Sequence, residues 1–189
     1  MFKNAVELSH FYLKNQLKKG DFAVDATCGN GYDTLFLDNL VGENGKILAF
    51  DVQEIAIQES TKRLKDFGIC KNVSFVLDGH ENMSKYLNQQ KVDAFIFNLG
   101  YLPKGDHSIQ TRAETTILAL KNALFHLNEN GMILLCIYHG KDSGTQERDE
   151  LLDYLKTLDS HLYNVIIHEY TNKPNHPPIL AVICHNKKG

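Results

Sequence analysis

The run Val24-Asp25-Ala26-Thr27-Cys28-Gly29-Asn30-Gly31-Tyr32-Asp33-Thr34 contains residue types that can hold a charged small molecule. Gly29 and Gly31 let the backbone turn tightly and approach a ligand closely. A pyrophosphate-bearing dinucleotide asks for G-x-G-x-x-G, with helix-terminal N–H groups facing the phosphates. Here Asp25 precedes the glycines and Thr34 stands where the third glycine belongs, so a phosphate would meet a negative side chain. S-adenosylmethionine (SAM) carries an ammonium, a sulfonium and a carboxylate. Asp25 can offset its positive charge while loop and helix N–H groups receive its carboxylate. Asp33, near the start of the following helix, also suits the positive end of the helix dipole. Without a ligand, the same run would be a tight turn capped by Asp33.

Two further groups stand at strand ends. Asp51, in Phe50-Asp51-Val52-Gln53, comes 20 residues after Gly31, the spacing at which an acidic residue meets ribose hydroxyls, and Gln53 lies beside it. Leu77-Asp78-Gly79-His80 ends the next strand, so Asp78 and His80 are candidates for the adenine or its ribose, or for capping the following helix. Phe97-Asn98-Leu99-Gly100-Tyr101-Leu102-Pro103 falls at the switch point where ligands meet in open α/β folds. It partly resembles the [N/D]-P-P-Y element of methyltransferases acting on amino nitrogens, with Leu99-Gly100 in place of the prolines. An aliphatic amine, with a reference pKa of about 10, must be neutral to attack a methyl group. Asn98 can orient it, and Asp106, His107 and His139 are candidate helpers. Tyr138-His139-Gly140 and the turn from Tyr170 to Pro178 offer aromatic and amide groups for a base, or form only a proline-fixed hairpin.

The elements that must position these groups are legible as alternating runs. Strands are expected at 22–26, 46–51, 73–77, 92–98, 132–138, 164–169 and 179–185. Helical patterns begin after Gly31 and recur over 55–64, 115–127, with Ile117, Leu120, Leu124 and Leu127 on one face, and around Leu151 to Leu158. This alternation implies parallel strands joined by right-handed crossovers. The last two strands follow one another without a helix, which places one antiparallel strand in the sheet. The expected fold class is therefore α/β: a Rossmann-like class I SAM methyltransferase with a seven-stranded, mostly parallel sheet and helices on both faces. Residues 1–19 read as an additional amphipathic helix, with Val6, Leu8, Phe11 and Leu13 packing against the sheet or a partner, and this stripe suits a homodimer contact.

At 189 residues, with 43% hydrophobic and 23% charged residues, one globular domain spanning 1–189 is expected. No apolar run approaches the roughly 20 residues of a membrane span, and no secretory segment is visible, so a cytoplasmic protein is expected. Cys28, Cys70, Cys136 and Cys184 form no C-x-x-C pair, and the nine histidines show no metal-ligand spacing, so reduced thiols and no metal are expected. A net charge of −3 supplies no global attraction to nucleic acid, although a local patch could still steer one.

The segments D-A-T-C-G-N-G-Y-D-T, D-V-Q, F-N-L-G-Y-L-P, I-Y-H-G and N-H-P-P, in this order and over essentially the whole chain, resemble the YtqB/MnmM-type family of SAM-dependent methyltransferases. The resemblance implies methylation of the amine of 5-aminomethyl-2-thiouridine at the tRNA wobble position, with the anticodon stem-loop as partner. It implies cofactor contacts at Asp25, Asn30, Asp33, Thr34, Asp51, Gln53 and His80, with Thr27, Gly29, Gly31 and Asp78 completing the set. Asn98 and Tyr101 would lie near the methyl, and Tyr138, His139, Asn172, Asn175 and His176 toward the anticodon. Lys104 and the Lys173-Pro174 pair depart from the family pattern. Methylation of rRNA or of a small amine metabolite, and a SAM- or RNA-binding module without turnover, are the competing readings.

Overall fold

A computed structural model of the chain describes residues 2–68, 71–102, 109–138, 143–175 and 177–187. Seven strands form one sheet: β1 (Phe22–Asp25), β2 (Lys46–Asp51), β3 (Val73–Leu77), β4 (Val92–Asn98), β5 (Leu127–Ile137), β6 (Tyr163–His168) and β7 (Ile179–His185). Their order is β3-β2-β1-β4-β5-β7-β6. Every pairing is parallel except those of β7, which runs antiparallel to both β5 and β6. The order reverses between β1 and β4, so the carboxyl ends of these two strands open a crevice at the switch point.

The α-helices are α1 (Ala5–Gln16), α2 (Tyr32–Val41), α3 (Glu54–Asp66), α4 (Ser84–Leu87), α5 (Ala113–His126) and α6 (Ser143–Lys156). The central strands are apolar on both faces because helices cover both. On one face Phe50, Phe95 and Phe97 pack with Leu120, Leu124 and Leu151. On the other, Ile47, Ile96 and Leu134 pack with Leu13 of α1 and with Leu37 and Val41 of α2. Each fully buried Leu or Phe contributes roughly 1.5–3 kcal/mol relative to leaving it exposed.

Three features differ from the sequence reading. First, α1 is shorter than 1–19: Asn4 caps its start by accepting from the Glu7 N–H (2.8 Å), and the chain is extended at Leu17. Ala5, Ser9 and Leu13 form its buried line, whereas Phe11 is exposed and meets Phe2 instead of the sheet. Second, β5 begins at Leu127, five residues before the expected start and at a position assigned to the helix. Leu127 pairs with Val92 ahead of a register shift, and the polar Asn128-Glu129-Asn130 conceals this extension. Third, a 3₁₀ turn (His80–Asn82) and α4 join β3 to β4. Their apolar signal is only Met83 and Leu87, four residues apart and both fully buried.

Candidate active site

Asp25 ends β1 with no exposed surface. One carboxyl oxygen accepts from the Thr34 hydroxyl (2.6 Å) and the other from the Thr27 N–H (3.2 Å), which ties the end of β1 to the first turn of α2. Burial, reinforced by the neighbouring Asp33 charge, pushes the Asp25 carboxyl up to about 7 against these two hydrogen bonds. The loop between has Gly29 at φ +50° and Gly31 at φ +77°, the left-handed region that glycine enters freely. Gly31 is also the N-cap of α2 and supplies no side-chain cap, so Asp33 is not the capping residue that a ligand-free turn would use. Asp33 lies in the first turn of α2, where its oxygens meet His10 Nε2 (2.7 Å) and Asn98 Nδ2 (3.2 Å).

Asp51 closes β2 and faces the same loop. It accepts from the Gly29 N–H (3.0 Å) and the Gln53 N–H (2.9 Å), with the Val52 N–H as a further donor, which leaves its carboxyl capacity for about one more. Burial raises its carboxyl above the usual carboxylate range. His80 is buried beneath the loop, with Nδ1 3.2 Å from the Ala26 carbonyl and its ring edge-on to Phe97. Burial lowers its pKa, which favours neutral imidazole. Asn98 ends β4, and its backbone N–H donates to the Thr27 hydroxyl (2.7 Å). The structure thus brings Asp25, Thr27, Gly29, Gly31, Asp33, Thr34, Asp51, Gln53, His80 and Asn98 to one end of the sheet. Asn30 joins them through its backbone, whose carbonyl accepts from Arg63 Nε (2.6 Å).

The other candidates fall elsewhere or at the rim. Asp78 is half-buried and accepts from Tyr86, Asn82 and its own neighbour Gly79 (2.7, 2.8 and 2.8 Å), so it organises the turn after β3. Its carboxyl is held low first by the Tyr86 hydrogen bond. Tyr101 is exposed and bridges to Gln110, while Thr111 clasps Gly100 through two hydrogen bonds (2.9 and 3.0 Å). Tyr138 follows β5, whose Cys136 pairs with Asn98. Asn172 and Asn175 lie on the exposed turn between β6 and β7, which is tied to the chain start by Tyr170 to the Phe2 carbonyl (3.0 Å) and Lys173 to the Lys3 carbonyl (2.8 Å). Lys104, Asp106, His107, His139 and His176 lie outside the described residues.

Several groups were missed by reading motifs alone. Ser60 of α3 donates to the Gly29 carbonyl (2.8 Å), Arg63 stacks its guanidinium over Tyr32 (3.7 Å), and His10 of α1 meets Asp33. Each comes from a helix whose local pattern is that of an ordinary covering face. Cys28, although inside the loop, offers no thiolate, because burial pushes its thiol far up.

The donor set fits SAM. Three acidic side chains surround a glycine turn, one with two oxygens at the end of β2 for ribose hydroxyls, and an uncapped helix start faces the turn. When bound, SAM supplies an electrophilic methyl on its sulfonium. A sheet of this order with an acidic glycine turn at its switch point defines a class I SAM-dependent methyltransferase. The chain belongs to the family described as "Putative rRNA methylase", whose model matches residues 47–184. A model described as protein-L-isoaspartate(D-aspartate) O-methyltransferase matches only residues 4–87, the half that carries the glycine turn.

A crystal structure from Clostridium thermocellum described as a "putative rRNA-methylase" is 47% identical over 98% of this chain and 100% of that one, with a TM-score of 0.96. A protein from Streptococcus mutans described as "a putative methyltransferase", solved in complex with SAH, is 38% identical over 98% and 100% of the two chains, with a TM-score of 0.89. The Arabidopsis thaliana chloroplast protein named tRNA (mnm(5)s(2)U34)-methyltransferase is 38% identical over 155 residues. That match covers 77% of this chain and 56% of the relative, so the chain spans little more than half of that protein's length.

Proposed function

We propose that this chain is a tRNA methyltransferase that transfers the SAM methyl to the amine of 5-aminomethyl-2-thiouridine at the wobble position, giving the 5-methylaminomethyl form. The observation that carries the reading is the placement of Asn98. It sits at the end of β4 beside the acidic glycine turn, with its amide nitrogen turned toward Asp33. An Asn side-chain oxygen at that point can accept an amine N–H and leave the nitrogen lone pair directed at a methyl donor. Holding the two reactants in line is the main way a protein accelerates such a displacement. The name of the chloroplast relative supports the substrate.

Under this reading Asp25, Thr27, Gly29, Asn30, Gly31, Asp33, Thr34, Asp51, Gln53 and His80 form the cofactor site. Asn98 and Tyr101 lie near the methyl, Tyr138 and the turn carrying Asn172 and Asn175 face the anticodon stem-loop, and residues 1–189 act as one unit. A cytoplasmic location is part of the same reading. The test is mass spectrometry of nucleosides from tRNA of cells lacking this modification, incubated with the protein and SAM. Gain of one methyl on 5-aminomethyl-2-thiouridine is expected. Turnover of a small amine without tRNA, or of rRNA alone, would overturn the substrate.

A further inference from the structure

An amide at a strand end can present either its oxygen or its nitrogen to a ligand, and the two choices have opposite effects on an amine. The oxygen accepts an amine N–H, whereas the nitrogen would compete for the lone pair that must attack. In this molecule the choice is made by a chain of contacts crossing three elements. Asp33 Oδ2 lies 3.2 Å from Asn98 Nδ2, and a carboxylate only accepts, so the amide nitrogen points to α2 and the oxygen points away. Asp33 Oδ1 lies 2.7 Å from His10 Nε2 on α1. His10 is held in turn by its ring, which stacks on Phe36 of α2 with centroids 3.7 Å apart and planes 7° from parallel.

We propose that His10 is a positioning residue for methyl transfer: it fixes Asp33 so that Asn98 presents its oxygen, not its nitrogen, to the amine. This rests on the N-methyltransferase reading above. Helix α1 thereby belongs to the reaction centre as well as to the packing of the sheet. Burial alone does not call for a histidine here, because a phenyl ring could stack on Phe36 equally well while supplying no N–H to Asp33.

That difference defines the experiment. His10→Phe keeps the stack and removes the donor, while His10→Gln restores an N–H near the position of Nε2. In H10F, kcat for tRNA methylation should fall roughly ten- to a hundredfold, the scale of a misplaced reacting group. The SAM dissociation constant by calorimetry should change by no more than about twofold, since the lost interaction serves the transition state. H10Q should recover most of the rate. The ¹⁵N-resolved side-chain amide signal of Asn98 should shift in H10F and return in H10Q. Full kcat in H10F, an H10Q no better than H10F, or SAM affinity falling in step with kcat would overturn the inference. If the wild-type protein methylates no amine on tRNA, the proposed function fails by itself. The Asn98 signal then still decides the linkage: an unmoved signal in H10F overturns it, and a reversible shift upholds it.

Discussion

Asp25 lies at the centre of the candidate cofactor site, and its chemistry is set by where β1 ends. Its carboxyl is held at about 7 against an ordinary value of 3.8, so folding favours the protonated form. That contribution to stability is complete below about pH 3.8 and is lost as pH rises through about 7. Asp25→Asn removes the charge, and the Thr34 hydroxyl can rotate to accept from the new amide nitrogen. The stability of the variant relative to wild type should therefore rise with pH, by roughly 2–3 kcal/mol between pH 5 and pH 8. At pH 8, where the wild-type carboxyl is charged, the variant should also bind SAM at least about tenfold more weakly, through loss of a negative charge buried behind the glycine turn. Thermal melts at the two pH values and calorimetry check both halves; a stability difference independent of pH would contradict the account. Asn98→Ala separates binding from chemistry: SAM affinity should hold while methyl transfer falls by about a hundredfold or more, read by nucleoside mass spectrometry beside calorimetry. Asp25, Asp51 and Asn98 were legible in the sequence because each ends an apolar run at the edge where such folds bind ligands. His10, Ser60 and Arg63 were not, because they reach the site from helices with no motif of their own.

At the scale of elements, the two loop glycines look alike in sequence but carry different loads. A Cβ on Gly31, at φ +77°, would lie 2.8 Å from Ser60 Oγ and 2.9 Å from Ser60 Cα, so it would strike the backbone of α3. A Cβ on Gly29, at φ +50°, would meet Leu102 Cδ1 no closer than 3.5 Å. Gly29→Ala should then cost only the left-handed conformation, about 1–2 kcal/mol. Gly31→Ala should cost more, roughly 3–4 kcal/mol, because α3 must also move. Chemical denaturation of the two variants tests the ranking, and equal losses would show that the α2–α3 contact is soft. The glycine pattern announced a tight loop, but only the packing of α3 against it distinguishes the two positions. The same gap explains the misplaced start of β5 and the unforeseen α4. In both, a long-range partner defines the element: Val92 across the sheet for Leu127, and the covered face of β4 for Met83 and Leu87. The run 92–98 and the antiparallel return of β7 were legible, since the apolar stretch from Ala94 to Phe97 and a helix-free proline turn need no distant context.

For the whole molecule, the proposed tRNA substrate raises the matter of how a protein with 20 Lys and Arg against 23 Asp and Glu would hold an RNA. A broad basic face would neutralise many phosphates and make binding fall steeply with salt. This chain has no charge excess for that, and its active end is itself acidic, with Asp25, Asp33 and Asp51 together. What the rim of that end does display is aromatic: Tyr101, after β4, is 56% exposed and Tyr138, after the paired β5, is 42% exposed. Unpaired loop bases stack on such rings, and stacking contributes about 1–3 kcal/mol per base with little dependence on salt. Binding of an anticodon stem-loop should accordingly show a shallow salt dependence, with log K against log salt near a slope of about −3, as for only a few neutralised phosphates. Tyr138→Ala should weaken binding by about 1–2 kcal/mol and leave that slope unchanged. Fluorescence anisotropy of a labelled stem-loop from low to moderate salt measures both quantities. A slope of about −8 or steeper, or a Tyr138→Ala protein that binds as tightly as wild type, would mean that phosphate contacts and not stacked bases hold the substrate.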